Sequence, residues 1–167
     1  MTDASSPATA SNGAENRIVV GVDGSESSVR ALRTARRLAA ALGTSLEAVA
    51  VWQRAHSSYD FYHPESDWTP EKEIEKLLQD AAESAFGSDR PDRFTMSMLE
   101  GIPAKTLIRH SVGADMLVLG SRGHGGFMGL LVGSVSSACV AHAHCPVLVV
   151  HNENQHALDA DRNATTR

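Results

Sequence analysis

The sequence predicts an α/β fold, an open parallel sheet of five strands with helices on both faces. Short apolar runs alternate along the chain with segments whose apolar residues recur every three or four positions, the pattern of parallel strands joined by crossover helices. Several of the runs are apolar without a break, as strands covered on both faces must be. Late in the chain a glycine-rich stretch separates one such run from a helix start, the place where open parallel sheets bind ligands.

The first run, Ile18 to Val22, is followed at once by Asp23-Gly24-Ser25. Ser25 suits the N-cap of a helix whose apolar stripe is Val29, Leu32, Ala35, Leu38, Ala39 and Leu42, with Gly43 placed to close it in a left-handed conformation. A second strand, Leu46 to Trp52, leads into a loop holding His56, Tyr59, Phe61, Tyr62, His63 and Trp68. Thr69-Pro70-Glu71 then starts a helix with Ile74, Leu77, Leu78, Ala81, Ala82 and Ala85 on one face and Gly87 at its end. The third strand, Phe94 to Leu99, alternates apolar and polar residues and belongs at a sheet edge. Pro103 opens a short helix toward Gly113, and Met116 to Leu119 is apolar enough for a central strand. A last helix is expected from Ser134, as N-cap, to about His142, and a fifth strand over Pro146 to Val150.

The length of 167 residues, 42% hydrophobic and 21% charged, suits one domain with a core of its own and is too short for two. Residues 1–15 and 152–167 read as polar tails around a domain over 16–151. Acidic residues outnumber basic ones by 20 to 15 with no run of Lys or Arg, so neither nucleic acid nor an anionic membrane is an expected partner. No stretch reaches the roughly 18 apolar residues of a membrane span, and the N-terminus has no secretion-signal pattern; a cytoplasmic location is expected. Cys139 and Cys145 suit a reducing compartment and no structural disulfide. With His142 and His144 they crowd one helix end, but their spacing fits no common zinc pattern.

The segment from Gly120 to Ser134 carries the chemistry. Glycines let the backbone approach a ligand and turn its N–H groups inward, and a helix start adds free N–H donors and the positive end of a dipole, so phosphate is the fitting ligand. A Walker A loop is excluded because Ser134 and Val135, not Lys, follow Gly133; the dinucleotide fingerprint fails because Met128 stands where its third glycine belongs. Rapid NTP hydrolysis is therefore not expected. No nucleophile elbow occurs, and Ser121 and Ser134 have no evident base.

The spacing that does occur is Gly120, two residues, Gly123, nine residues, Gly133, Ser134. Here the chain resembles the universal stress protein family, whose ATP-binding members carry this pattern. Ile18 to Ser25, Glu100-Gly101-Ile102-Pro103, Ala114-Asp115 and Cys145 to Val150 resemble further family blocks in family order. The resemblance implies a Rossmann-like sheet ordered 3-2-1-4-5 and a site for ATP, with Mg as a possible companion. It implies that Gly21, Val22 and Asp23 face the nucleoside, the Asp23 carboxylate accepting ribose hydroxyls or holding the metal, and that the backbone of Val51 pairs with the adenine edge. The stretches Leu119, Gly120, Ser121, Arg122, Gly123, His124, Gly125 and Gly126, and Gly133, Ser134, Val135 and Ser136, would wrap ribose and phosphates. Read without the family, Asp23-Gly24-Ser25 is a turn with a helix cap, and the glycine-rich stretch is a surface loop.

The expected function is an ATP-binding stress-response or signalling module, with two rivals: a slow ATPase or autophosphorylating protein, and an interaction module without nucleotide. An adenylating enzyme would need motifs that are absent. The apolar fifth strand, Val147 to Val150, falls at a sheet edge in the family order, so a homodimer joined through it is expected.

Overall fold

The computed structural model describes residues 16–53, 69–123 and 132–151. Strand β1 (Arg17–Gly21) is followed by α1 (Glu26–Leu42), β2 (Ser45–Trp52), α2 (Pro70–Phe86), β3 (Phe94–Glu100), α3 (Pro103–His110), β4 (Met116–Gly120), α4 (Ser134–His142) and β5 (Val147–Val150). The strands form one parallel sheet in the order β3-β2-β1-β4-β5, with Ile18 opposite both Leu46 and Met116. This is the predicted Rossmann-like arrangement. β1 lies between β2 and β4, so the chain reverses its direction of winding there.

Strand alternation divides the core in two. Ile18, Val20, Leu46, Ala48 and Val118 face α1 and α2 and pack with Leu32, Ala35, Leu78 and Ala82. Val19, Val49, Leu117 and Leu119 face the other way and pack with Leu107 of α3 and Cys139 of α4. Burial on both sides explains why β1 and β4 are apolar without interruption.

The first two helices begin and end where local chemistry says they should. The Ser25 hydroxyl accepts the Ser28 N–H, Thr69 does the same for Lys72, and Gly43 ends α1 at φ 66°. Several expectations shift, among them the end of β1, which leaves Val22 outside the strand. Leu42 continues the spacing of the α1 stripe but, as the last residue of the helix, is exposed. α3 stops at His110 rather than Gly113, the three following residues forming a turn that returns the chain to β4. Ser134 is the first helical residue of α4, and the cap is Gly133, with no side-chain hydrogen bond. β5 starts at Val147, the Pro146 carbonyl accepting the Leu117 N–H. The 53–68 loop is described only at Gln53, and both tails, residues 1–15 and 152–167, lie outside the described residues.

Candidate functional site

At the carboxyl ends of β1 and β4, where the winding reverses, lies a cleft of about 400 Å³, the topological position that binds ligands in open parallel sheets. Its lining is divided in character. Val49 and Val51 from β2, Pro103 and Leu107 from α3, and Leu119 from β4 form an apolar slot. Asp23, Arg122, Gly123 and the first turn of α4, Ser134 to Ser136, form a polar end.

Asp23 is exposed and held in a tight turn, its Oδ1 accepting the Ser25 N–H at 3.0 Å and the Ser25 hydroxyl at 2.6 Å. Its Oδ2 faces Gly123, where a Cβ would stand only 2.4 Å away. A side chain at 123 would therefore displace the Asp23 carboxylate from its place beside the segment after β4. Gly120 is constrained more tightly, since a Cβ there would meet the Ser27 hydroxyl at 2.3 Å and the Ser27 backbone, which cannot turn aside, at 2.8 Å.

Hydrogen bonds fix the start of α4 against the end of β4. The Ser136 hydroxyl donates to the Gly120 carbonyl at 2.8 Å, and the Gly133 N–H donates to the Ser121 carbonyl at 2.7 Å. This aims the opening N–H groups of α4, those a helix leaves without partners inside itself, at the cleft. Arg122 adds a cation whose Nε is buried without a hydrogen-bond partner among the described residues.

Twelve of the residues singled out in the sequence meet in this cleft: Gly21, Val22, Asp23, Val51, Leu119, Gly120, Arg122, Gly123, Gly133, Ser134, Val135 and Ser136. Ser121 does not line it. Its side chain is fully buried and its backbone is engaged by Val150 and Gly133. His124, Gly125 and Gly126 lie outside the described residues. Ser28, Val49, Pro103 and Leu107 line the cleft without having been singled out. The signal for Val49 was present, since it lies two positions before Val51 on the same strand face; Pro103 and Leu107 reach the cleft only through the packing of α3.

Elsewhere, Cys139 and Cys145 are free thiols. Burial pushes the Cys139 thiol up to about 11 and also raises that of Cys145, which keeps both protonated and unreactive near neutral pH. Among the described residues no three His, Cys, Asp or Glu side chains converge to hold a metal, and no helix is long and apolar enough to cross a membrane.

The model of the universal stress protein family matches residues 15–151. The chain belongs to this family. Universal stress protein Rv2005c of Mycobacterium tuberculosis is 34% identical over 146 residues, covering 84% of this chain and 49% of that protein. The chain thus spans about half the length of the curated relatives it matches. A solved universal stress protein in complex with cAMP superimposes with a TM-score of 0.61 at 28% identity, covering 81% of this universal stress protein and 96% of the other chain. UspA from Lactobacillus plantarum gives a TM-score of 0.64 at 21% identity, covering 81% and 97%, a likeness of fold.

Proposed function

We propose that this universal stress protein is a cytoplasmic binding module that holds ATP, accompanied by Mg, in the cleft between β1 and β4, and that occupancy of the cleft is what it contributes to a stress or signalling response. The observation that carries the reading is the two-ended chemistry of the cleft, an apolar slot joined to a carboxylate, a buried guanidinium nitrogen without a hydrogen-bond partner among the described residues, and a helix amino end. An adenine ring suits the slot, with the backbone of Val51 at its edge. Asp23 suits ribose hydroxyls or the metal. Arg122 and the N–H groups of Ser134, Val135 and Ser136 suit phosphates, and the family pattern adds Gly120 to Gly126 to their cradle. The bound metal would supply charge neutralisation for the polyphosphate. Asp23 is the one carboxylate in the described lining; the lack of a Lys after Gly133, where a Walker A loop carries one, supports holding over rapid hydrolysis.

The test is to denature freshly purified protein and chromatograph the released nucleotide. ATP from the wild type, lost in Gly123→Val, is the expected result. ADP would move the reading to slow hydrolysis. No nucleotide, together with no heat on titration with ATP, would contradict it and leave an interaction module. The similar structure that contains cAMP favours a second reading, a cyclic adenine nucleotide in the same cleft. Parallel calorimetric titrations with ATP and cAMP decide between them.

The same proposal includes a homodimer. β5 ends the sheet with four half-buried apolar residues, Val147 to Val150, and pairing with a second copy would cover that edge. Light scattering at micromolar concentration should give twice the monomer mass, and a monomer contradicts the dimer.

A further inference from the structure

α3 is eight residues long, the shortest of the four described helices, and no side chain caps its start. A helix of this length is unstable alone, yet through Pro103 and Leu107 it forms one wall of the cleft. Its other end is held from two directions. The Nε2 of His110 lies 3.0 Å from both carboxylate oxygens of Glu47, and the His110 carbonyl accepts a hydrogen bond from Arg17 Nη2 at 3.1 Å. Glu47, on β2, has a side chain only 12% exposed. It also accepts the Ser97 hydroxyl at 2.6 Å, and Arg17 Nε lies 3.2 Å from its Oε2, close enough for charge attraction though not aligned as a hydrogen bond. One nearly buried carboxylate thus ties β1, β3 and the end of α3 together, on the face of β2 that carries Val49 and Val51 but nearer the amino end of the strand. Burial makes the tie firm, because a carboxylate without partners there would be costly.

We infer that the Arg17–Glu47–His110 node is a latch that sets the position of α3, which makes His110 a positioning residue for nucleotide recognition although it lies outside the cleft lining. The inference rests on the nucleotide reading above. Two helical turns packed through Leu107 move as one body, so freeing the end at His110 lets the wall at Pro103 and Leu107 shift, and a loosened wall binds a base less well.

The experiment titrates ATP into nucleotide-stripped full-length protein for the wild type, His110→Ala, His110→Gln, Leu107→Ala and the double variant His110→Ala/Leu107→Ala, and follows amide hydrogen exchange over residues 103–110. His110→Ala leaves Glu47 with Arg17 and Ser97, so folding is retained. Its ATP affinity should fall about three- to tenfold, while His110→Gln, which keeps a donor for Glu47, should stay within about twofold of wild type. In the Leu107→Ala background the His110→Ala effect should shrink below about twofold, because the wall through which it acts is gone. Equal affinities for wild type and His110→Ala, no rescue by Gln, or full additivity with Leu107→Ala would each overturn the latch. If the wild type binds no ATP, the nucleotide reading fails by itself and the exchange data decide the latch: faster exchange confined to 103–110 in His110→Ala upholds it, and unchanged exchange overturns it.

Discussion

α1 and α2 are each 17 residues long, begin on side-chain caps at Ser25 and Thr69, and bury Leu32, Ala35, Leu78 and Ala82 against one face of the sheet. α3 and α4 have eight and nine residues and no side-chain cap, yet Pro103, Leu107, Ser134, Val135 and Ser136 from these two line the cleft. The first layer is specified by its own sequence and supplies most of the apolar core. The second is positioned by tertiary contacts, among them Ser136 to Gly120 and His110 to Glu47. Elements that depend on their surroundings for position are the ones whose position a ligand can sense, and the difference between the layers is one of stability against recognition.

Substitutions that separate stability from binding will test this division. The largest effect belongs to the first layer. Leu32 is wholly buried in α1, so Leu32→Ala should lower unfolding free energy by about 3 kcal/mol in a denaturant titration, with ATP affinity of the folded protein unchanged. A parallel loss of affinity would break the comparison. A smaller and sharper contrast comes from two serines at helix starts. Ser25→Ala removes a cap bond to Ser28 and the hydroxyl bond to Asp23, so it should cost about 1 kcal/mol of stability along with any effect on binding through Asp23. Ser134→Ala removes no cap bond, so its stability cost should be under about 0.5 kcal/mol; its effect should instead be an ATP affinity lower by roughly twofold to fivefold. Equal stability losses in the two variants would remove the distinction.

The same division decides what could be read from the sequence. The strands of the central sheet were legible because burial on both faces leaves uninterrupted apolar runs, and α1 and α2 because Ser25, Gly43, Thr69 and Gly87 mark their ends. Strand order was legible only through family resemblance, since hydrophobic patterning says which residues are buried and not which strands are neighbours. The glycines at 120, 123 and 133 showed where backbone comes close. Pro103 and Leu107 were legible as a helix but not as a cleft wall, because a helix pattern gives a buried face and no information on what else borders it. Ser134 was misplaced by one position since Gly and Ser both serve as caps, and Gly133 takes that role with its φ of −70° and ψ of 163°.

The central claim is that the cleft between β1 and β4 recognises an adenine nucleotide and contributes little to holding the fold together. Gly123 tests it most directly, because it is exposed and a side chain there would push the Asp23 carboxylate out of its place at the polar end of the cleft. The measurement is calorimetric titration of ATP into nucleotide-stripped wild type and Gly123→Val, with denaturant unfolding of both in the absence of nucleotide. ATP binding to the wild type, weakened about 100-fold or more in Gly123→Val, with unfolding free energies within about 1 kcal/mol, is the predicted result. Equal ATP binding by the two proteins, or none by the wild type, would contradict it.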